Sequence, residues 1–215
     1  SRPDKASNNQ SAAQSATPEQ GDWIVVRYDA EPDGLNPITS TNTYSSYVEY
    51  GVNWSNVYET LLQYDTANKW RMDKPLLAEA YPEVSADHLT YTFKIRDGVK
   101  WHDGKPFTVD DVLFSAKALM CPGVDNAATR SSYVDMINAE VVEGNKIRFS
   151  FSKPYFLNDN QLGTLPIVAK HIFDPEGVLD NISLKDLITT RRNDPKVKKR
   201  SEEHTSELQS HLNLV

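Results

Sequence analysis

Hydrophobic and polar residues alternate most cleanly over residues 89–95, where Leu89, Tyr91, Phe93 and Ile95 take one set of positions and Thr90, Thr92 and Lys94 the other. Alternation with period two puts the two sets on opposite faces of an extended chain, so this stretch predicts a half-buried strand. Asp97-Gly98 follows, a pair that tolerates positive φ, and predicts a reversal into Val99-Lys100-Trp101 as a hairpin. A second pair, Asp103-Gly104, closes that arm. Thr108-Val109-Asp110-Asp111 then reads as a helix start, with the Thr108 hydroxyl capping the first free amides and Asp111 answering from the third helical position. Val112, Ala116 and Leu119, spaced by four and three, predict one inward-facing stripe on that helix.

The same patterns recur with less clarity elsewhere. Residues 23–28, WIVVRY, form a short apolar run rich in β-branched side chains and predict a buried strand, which Asp33-Gly34-Leu35-Asn36-Pro37 breaks. Residues 38–44 are crowded with Thr, Ser and Asn. Beyond them Tyr47, Tyr50, Trp54, Val57 or Tyr58, and Leu61 stand at helical spacing and predict one long helix with an aromatic stripe facing the core. Residues 133–137 read as a helical turn. Two strand patterns follow, residues 139–142 and 146–151, separated by Glu143-Gly144-Asn145; in the second, Ile147, Phe149 and Phe151 alternate with Lys146, Arg148 and Ser150. The fold class expected is α/β of the mixed α+β kind, with a small, mainly antiparallel sheet and the capped helix over one face.

Composition sets the domain limits. The 215 residues, 39% hydrophobic and 10% aromatic, provide for one sizeable domain or two small ones. Residues 1–20 hold no large apolar side chain and predict a disordered tether, because such a segment buries too little surface to offset its ordering entropy. Ser stands at position 1 and no signal sequence follows it, so the expectation is a chain that is mature or truncated upstream. Residues 189–199 read as an unstructured junction. Residues 200–211, RSEEHTSELQSH, look like one reading frame of a common short-read sequencing adapter, so residues 200–215 are expected to be a non-native tail, with a polar helix as the alternative.

Charge and motifs exclude several functions. A net charge of −7 argues against general nucleic-acid binding, which needs a concentrated basic face. No apolar run approaches the length that spans a bilayer. The chain lacks a Gly-x-Ser-x-Gly elbow, a phosphate-cradling glycine loop, a His-Glu-x-x-His and a paired Cys-x-x-Cys. The single cysteine, Cys121 in Cys121-Pro122-Gly123, reads as part of a helix end. His102 and Asp103 are neighbours in sequence, but adjacent strand residues point to opposite faces. His171 has no partner at ligand spacing and reads as a buried or capping histidine. No enzyme activity, cofactor or metal is expected.

The order LAE, LTYTFKIRDGVKWHDGKPFT and VDDVLFSAKAL within residues 77–120 resembles the signature region of the family 5 extracellular solute-binding proteins, the peptide and nickel receptors of bacterial ABC importers. The likeness spans about forty residues, and a weaker one extends from Asp22 to about Pro175, including the Leu-Asn-Pro turn, YETLLQYD at residues 58–65 and the passage around His171. The resemblance implies that residues 21–188 form the N-terminal lobe of a two-lobed, periplasmic-binding-protein-like fold, which closes about a hinge on its solute. It implies a small peptide as ligand, an ABC permease in the membrane as partner, a monomer, and a periplasmic or extracellular location, with a lipid anchor left open and residues 1–20 as the spacer. Because the loop after the first strand borders the ligand cleft in that family, Asn36, Thr39, Ser40, Thr41, Asn42 and Tyr44 are the candidate ligand contacts. Read by residue type alone, the same six are turn formers and helix caps. The alternatives are another solute, such as a nickel chelate, an oligosaccharide or an opine, and a sensor or interaction module using the same lobe. A single lobe offers one wall of a cleft, so the isolated chain is expected to bind no peptide usefully.

Overall fold

The computed structural model describes residue 27 and residues 29–32, 34–40, 42–50, 57–65, 67 and 69–189. In chain order its elements are α1 (Thr43–Glu49), β1 (Leu62–Asp65), β2 (Arg71–Pro75), β3 (Glu83–Val84), β4 (Thr90–Lys94), α2 (Val109–Met120), α3 (Ala127–Ser131), β5 (Met136–Val142), β6 (Lys146–Phe151), α4 (Asn158–Gly163), α5 (Lys170–Phe173) and α6 (Leu184–Thr189). The strand expected at residues 23–28, the tether, the end of the junction and the tail lie outside the described residues, apart from Arg27.

The alternating stretch is the centre of a four-stranded antiparallel sheet of order β3-β4-β6-β5. Tyr91, Phe93 and Ile95 are buried and Leu89 half-buried, while Lys94 stays exposed. Pairing Tyr91 with Phe149 and Phe93 with Ile147 puts the buried sets of both strands on one face. There the rings pack edge to face, Phe93 against Phe149 at 6.1 Å and Tyr91 against Phe151 at 5.6 Å. The β5–β6 hairpin turns at Gly144, whose φ of +70° is open to glycine at no steric cost. Its first strand begins at Met136 rather than Ala139; the helical turn expected at residues 133–137 lies earlier, as α3.

The first hairpin differs from expectation. Both edges of β4 are already occupied, Tyr91 facing Val84 on one side and Phe149 on the other, so residues 99–101 find no free edge to join. The reversal forms one turn later: Lys100 bridges Pro106, the Trp101 N–H donates to the Lys105 carbonyl at 2.8 Å and the Phe107 N–H to the Val99 carbonyl at 3.0 Å. Asp103-Gly104, not Asp97-Gly98, is the hairpin turn.

Helix α2 lies across the buried face of the sheet. Val112, Ala116 and Leu119 join the sheet core, as their spacing requires. The opposite side is buried too, because Phe114 and Ala118 enter a second core with Ile38, Tyr58, Val124, Val168, Phe173 and Leu179. A helix covered on two sides makes each large side chain worth about 1.5–3 kcal/mol of burial. The helix expected to carry Tyr47 through Leu61 is also revised: α1 ends at Glu49, and residues 57–60 are not helical and lead into β1. Tyr50 and Tyr58 meet, their ring centroids 6.4 Å apart, and the Val57 N–H donates to the Glu49 carbonyl at 2.8 Å. Trp54 lies outside the described residues.

Candidate functional site

The predicted contact residues occupy the stretch that leads into α1. Ile38, fully buried in the second core, anchors this loop against α2 and the segment before α5. Asn36 is buried as well: its Oδ1 accepts the Ile38 N–H at 3.0 Å, and its carbonyl accepts the N–H groups of Thr39 and Ser40 at 3.2 and 2.8 Å. Asn42 caps α1, its Oδ1 accepting the Tyr44 N–H at 2.8 Å, and the Ser40 Oγ accepts the Asn42 N–H at 3.4 Å. Thr39, Ser40, Asn42 and Tyr44 are half-buried and Thr41 lies outside the described residues. The local bonding accounts for the Asn and Ser residues as turn and cap formers, and five of the six lie among the described residues of the loop leading into α1.

Tyr58 ties the same loop down, its hydroxyl donating to the Leu35 carbonyl at 3.1 Å. Burial, with the nearby Glu49 carboxylate adding to it, pushes the Tyr58 phenol up to about 12 and the Tyr50 phenol well above its ordinary value. Neither ionises near neutral pH.

A charged groove of about 510 Å³ opens at the start of α2, lined by Lys105, Thr108, Asp110, Lys170, His171 and Glu176 among others. Buried Asp111 organises it. Its Oδ2 accepts the Thr108 N–H at 2.8 Å and the Trp101 indole N–H at 3.3 Å, and its Oδ1 accepts the Lys170 N–H at 2.9 Å. One carboxylate thus closes the capping box, holds the 99–107 arm and fixes the start of α5. His171 is not a buried cap but pairs with Asp103, Nε2 to Oδ2 at 2.7 Å. The Asp103 carboxyl is held below its usual range by the Lys105 N–H and by His171. Lys170 pairs with Asp180 at 2.5 Å, and although burial works against its charge, Asp180 raises its pKa. Lys117 is buried, its Nζ donating to the Leu179 carbonyl at 2.8 Å; desolvation lowers its pKa, opposed by the Asp180 charge.

Sequence reasoning found Asp111 as a cap and missed its two other tasks, since Lys170 is 59 positions away. It also missed His171 with Asp103, for which adjacency to His102 was a misleading signal. Among the described residues, no group of three or more His, Cys, Asp or Glu side chains is placed to hold a metal ion. Cys121 ends α2, and burial pushes its thiol up, away from reactivity. No helix among the described residues is long and apolar enough to cross a membrane.

The sequence profile of the family described as "Bacterial extracellular solute-binding proteins, family 5 Middle" matches residues 74–206, which takes in the first seven residues of the stretch set apart above as a tail. The chain is 30% identical over 186 residues to the oligopeptide-binding protein AppA of Bacillus subtilis, covering 85% of this chain and 31% of that protein. The fold is similar to that of AppA from Bacillus subtilis in complex with a nonapeptide, with a TM-score of 0.52, 28% identity, and coverage of 77% of this chain and 30% of that one. It is similar as well to NikZ from Campylobacter jejuni in complex with Ni(L-His), with a TM-score of 0.53, 28% identity, and coverage of 75% and 28%. The chain spans less than a third of the length of these relatives.

Proposed function

Since the chain belongs to the family 5 bacterial extracellular solute-binding proteins, we propose that it supplies one lobe of a receptor that captures a di- or oligopeptide outside the cytoplasmic membrane and hands it to the permease of an ABC importer. The observation that carries this reading is the 85% of the chain aligned with an oligopeptide-binding protein. The reading requires binding and release, with no covalent bond made or broken. Residues 21–188 are the lobe, working as a monomer in the periplasm or outside the cell.

The rim formed by Asn36, Thr39, Ser40, Asn42 and Tyr44, with Thr41 beside it in sequence, is the proposed ligand-facing wall. A peptide held there through its backbone gains strand-like hydrogen bonds that do not depend on its side chains. Its charged amino terminus needs an acidic partner once desolvated, because burying an unpaired charge is prohibitive. That partner belongs to the facing lobe, and hinge closure brings the two together. A second reading, a nickel chelate as solute, is favoured by the likeness to NikZ in complex with Ni(L-His).

Calorimetry separates the two. A two-lobed receptor carrying this chain is expected to bind tri- to nonapeptides with a Kd on the order of 1 μM. Thr39→Ala should weaken binding by roughly tenfold, the loss of one buried hydrogen bond, and the isolated 215 residues should show no micromolar binding. Tight binding of Ni(L-His) with none of peptide moves the assignment to the chelate. Micromolar peptide binding by the isolated chain refutes the one-wall geometry.

A further inference from the structure

Among the described residues, exposed aromatic and apolar side chains gather beside the short edge strand β3. Tyr81 is 40% exposed, Val84 37%, Tyr155 38%, Leu157 37% and Phe156 81%. Single exposed apolar residues are ordinary, but a cluster of this kind marks a binding surface. Tyr81, Val84, Tyr91, Tyr155, Phe156 and Asp159 line one groove of about 560 Å³, a volume in the range of small-ligand sites. Tyr155 and Phe156 stand with ring centroids 4.9 Å apart and planes at 67°, so they offer one ring face and one ring edge. Tyr91 packs edge to face on Phe151, which fixes that wall to the sheet core.

The polar end of the groove is a single carboxylate. Asp159 Oδ2 accepts the Tyr81 hydroxyl, and Oδ1 accepts the Asn160 N–H at 2.8 Å. Both donors are neutral, and among the described residues Asp159 has no ion-pair partner within 4 Å. No basic side chain thus pairs with the carboxylate, and its oxygens have lone pairs to spare. Among the described residues no lysine or arginine lines the groove; His88 is the lining residue that can carry positive charge. Arg71, whose field reaches Tyr81, is tied to Asp73 at 3.2 Å.

Aromatic faces carry negative potential and attract cations, and a planar guanidinium also stacks on them. We propose that this groove binds a guanidinium group on an apolar stem, with the Tyr155 and Phe156 rings taking the stem and plane and Asp159 taking the charge. The group is either a free guanidinium compound or the arginine side chain of a peptide. None of these residues belongs to the 34–44 rim, so the site is independent of the proposed peptide wall, and failure at one leaves the other standing.

A nuclear magnetic resonance titration of the 215-residue chain tests this with three probes: arginine amide, the neutral isostere citrulline amide, and Gly-Arg-Gly amide. Arginine amide is expected to give saturable shifts at Tyr81, Tyr155, Phe156 and Asp159, with a Kd on the order of 1 mM. Citrulline amide should bind at least about fivefold more weakly, the contribution of a cation on rings beside a carboxylate. Phe156→Ala, at a side chain too exposed to endanger folding, and Asp159→Asn, which keeps shape and an acceptor, should each weaken arginine amide about three- to tenfold. Thr39→Ala should change nothing here. Tighter binding of the tripeptide than of arginine amide assigns the site to peptide side chains, and equal binding assigns it to the free cation. Absence of shifts at these residues up to about 20 mM, equal binding of citrulline amide, or an unchanged Kd in Asp159→Asn overturns the proposal.

Discussion

Removing the Asp111 carboxylate should cost this fold more than any single surface ion pair. In Asp111→Ala four donors lose their acceptor: the Thr108 N–H at 2.8 Å, the Lys170 N–H at 2.9 Å, the Trp101 indole N–H at 3.3 Å and, at 3.4 Å, the Thr108 hydroxyl. Loss of the cap costs about 1 kcal/mol. The Lys170 N–H, left without a partner in a largely buried place, costs a further 1–3 kcal/mol or so. The longer bonds from Trp101 and the Thr108 hydroxyl add less, and because all four donors share one carboxylate their costs are not independent. The expected total is about 3–4 kcal/mol, against a typical domain stability of about 5–15 kcal/mol. Urea unfolding followed by tryptophan fluorescence measures it. With an m-value near 2 kcal/mol/M, the midpoint should fall by about 1.5–2 M. Asp111→Asn keeps one acceptor oxygen but points an amine at a second donor, so it should lose about half as much and remain folded. Hydrogen exchange then gives the local reading, since the Lys170 amide should exchange faster than amides of β4 and β6. A loss below about 1 kcal/mol in Asp111→Ala, or an unchanged Lys170 amide, would show that Asp111 does not hold the arm and α5 together.

Two further outcomes follow from burial. The Tyr58 phenol, raised from about 10 to about 12, is neutral in the folded chain at a pH where the unfolded chain already ionises. Its contribution is therefore complete below pH 10 and is lost as pH rises from 10 towards 12, by something on the order of 2 kcal/mol. Tyr58→Phe should flatten that part of an alkaline stability curve, and an unchanged slope would refute it. At Gly163 an added Cβ would lie 2.9 Å from Met72 Cγ and 3.1 Å from Leu62 Cβ, so Gly163→Ala should destabilise by about 1–3 kcal/mol in the same urea assay, whereas a neutral result would mean that α4 moves freely off the β1–β2 hairpin.

Much of the central architecture was legible in the sequence because its causes are short-range. Period two over residues 89–95 decides which side chains share a face, and the Thr108–Asp111 spacing decides where a helix starts. The reversal at residues 143–145 needs little more than a residue that accepts positive φ. The helix read from Tyr47 through Leu61 does not reach Leu61, for a related reason. A spacing of eight between Tyr50 and Tyr58 suits two turns of helix, but such spacing does not require one, and both rings enter the second core with Tyr58 outside any helix. The candidate rim was named from a resemblance, and local physics could not tell a ligand contact from a cap. The coordinates show Asn36 and Asn42 bonded to their own neighbours, with Thr39 and Tyr44 beside them.

By itself, then, the sequence determined the strand faces, the helix start and the family, because alternation, capping and a forty-residue pattern lie within one continuous stretch. The tertiary structure decided which edges were already taken, and so moved the hairpin from Gly98 to Gly104. It also decided the pairings of His171 with Asp103 and Tyr81 with Asp159, made across 68 and 78 positions. Hydrogen bonds and charges act over a few ångströms of space, and separation along the chain carries almost no information about that distance once the chain has folded.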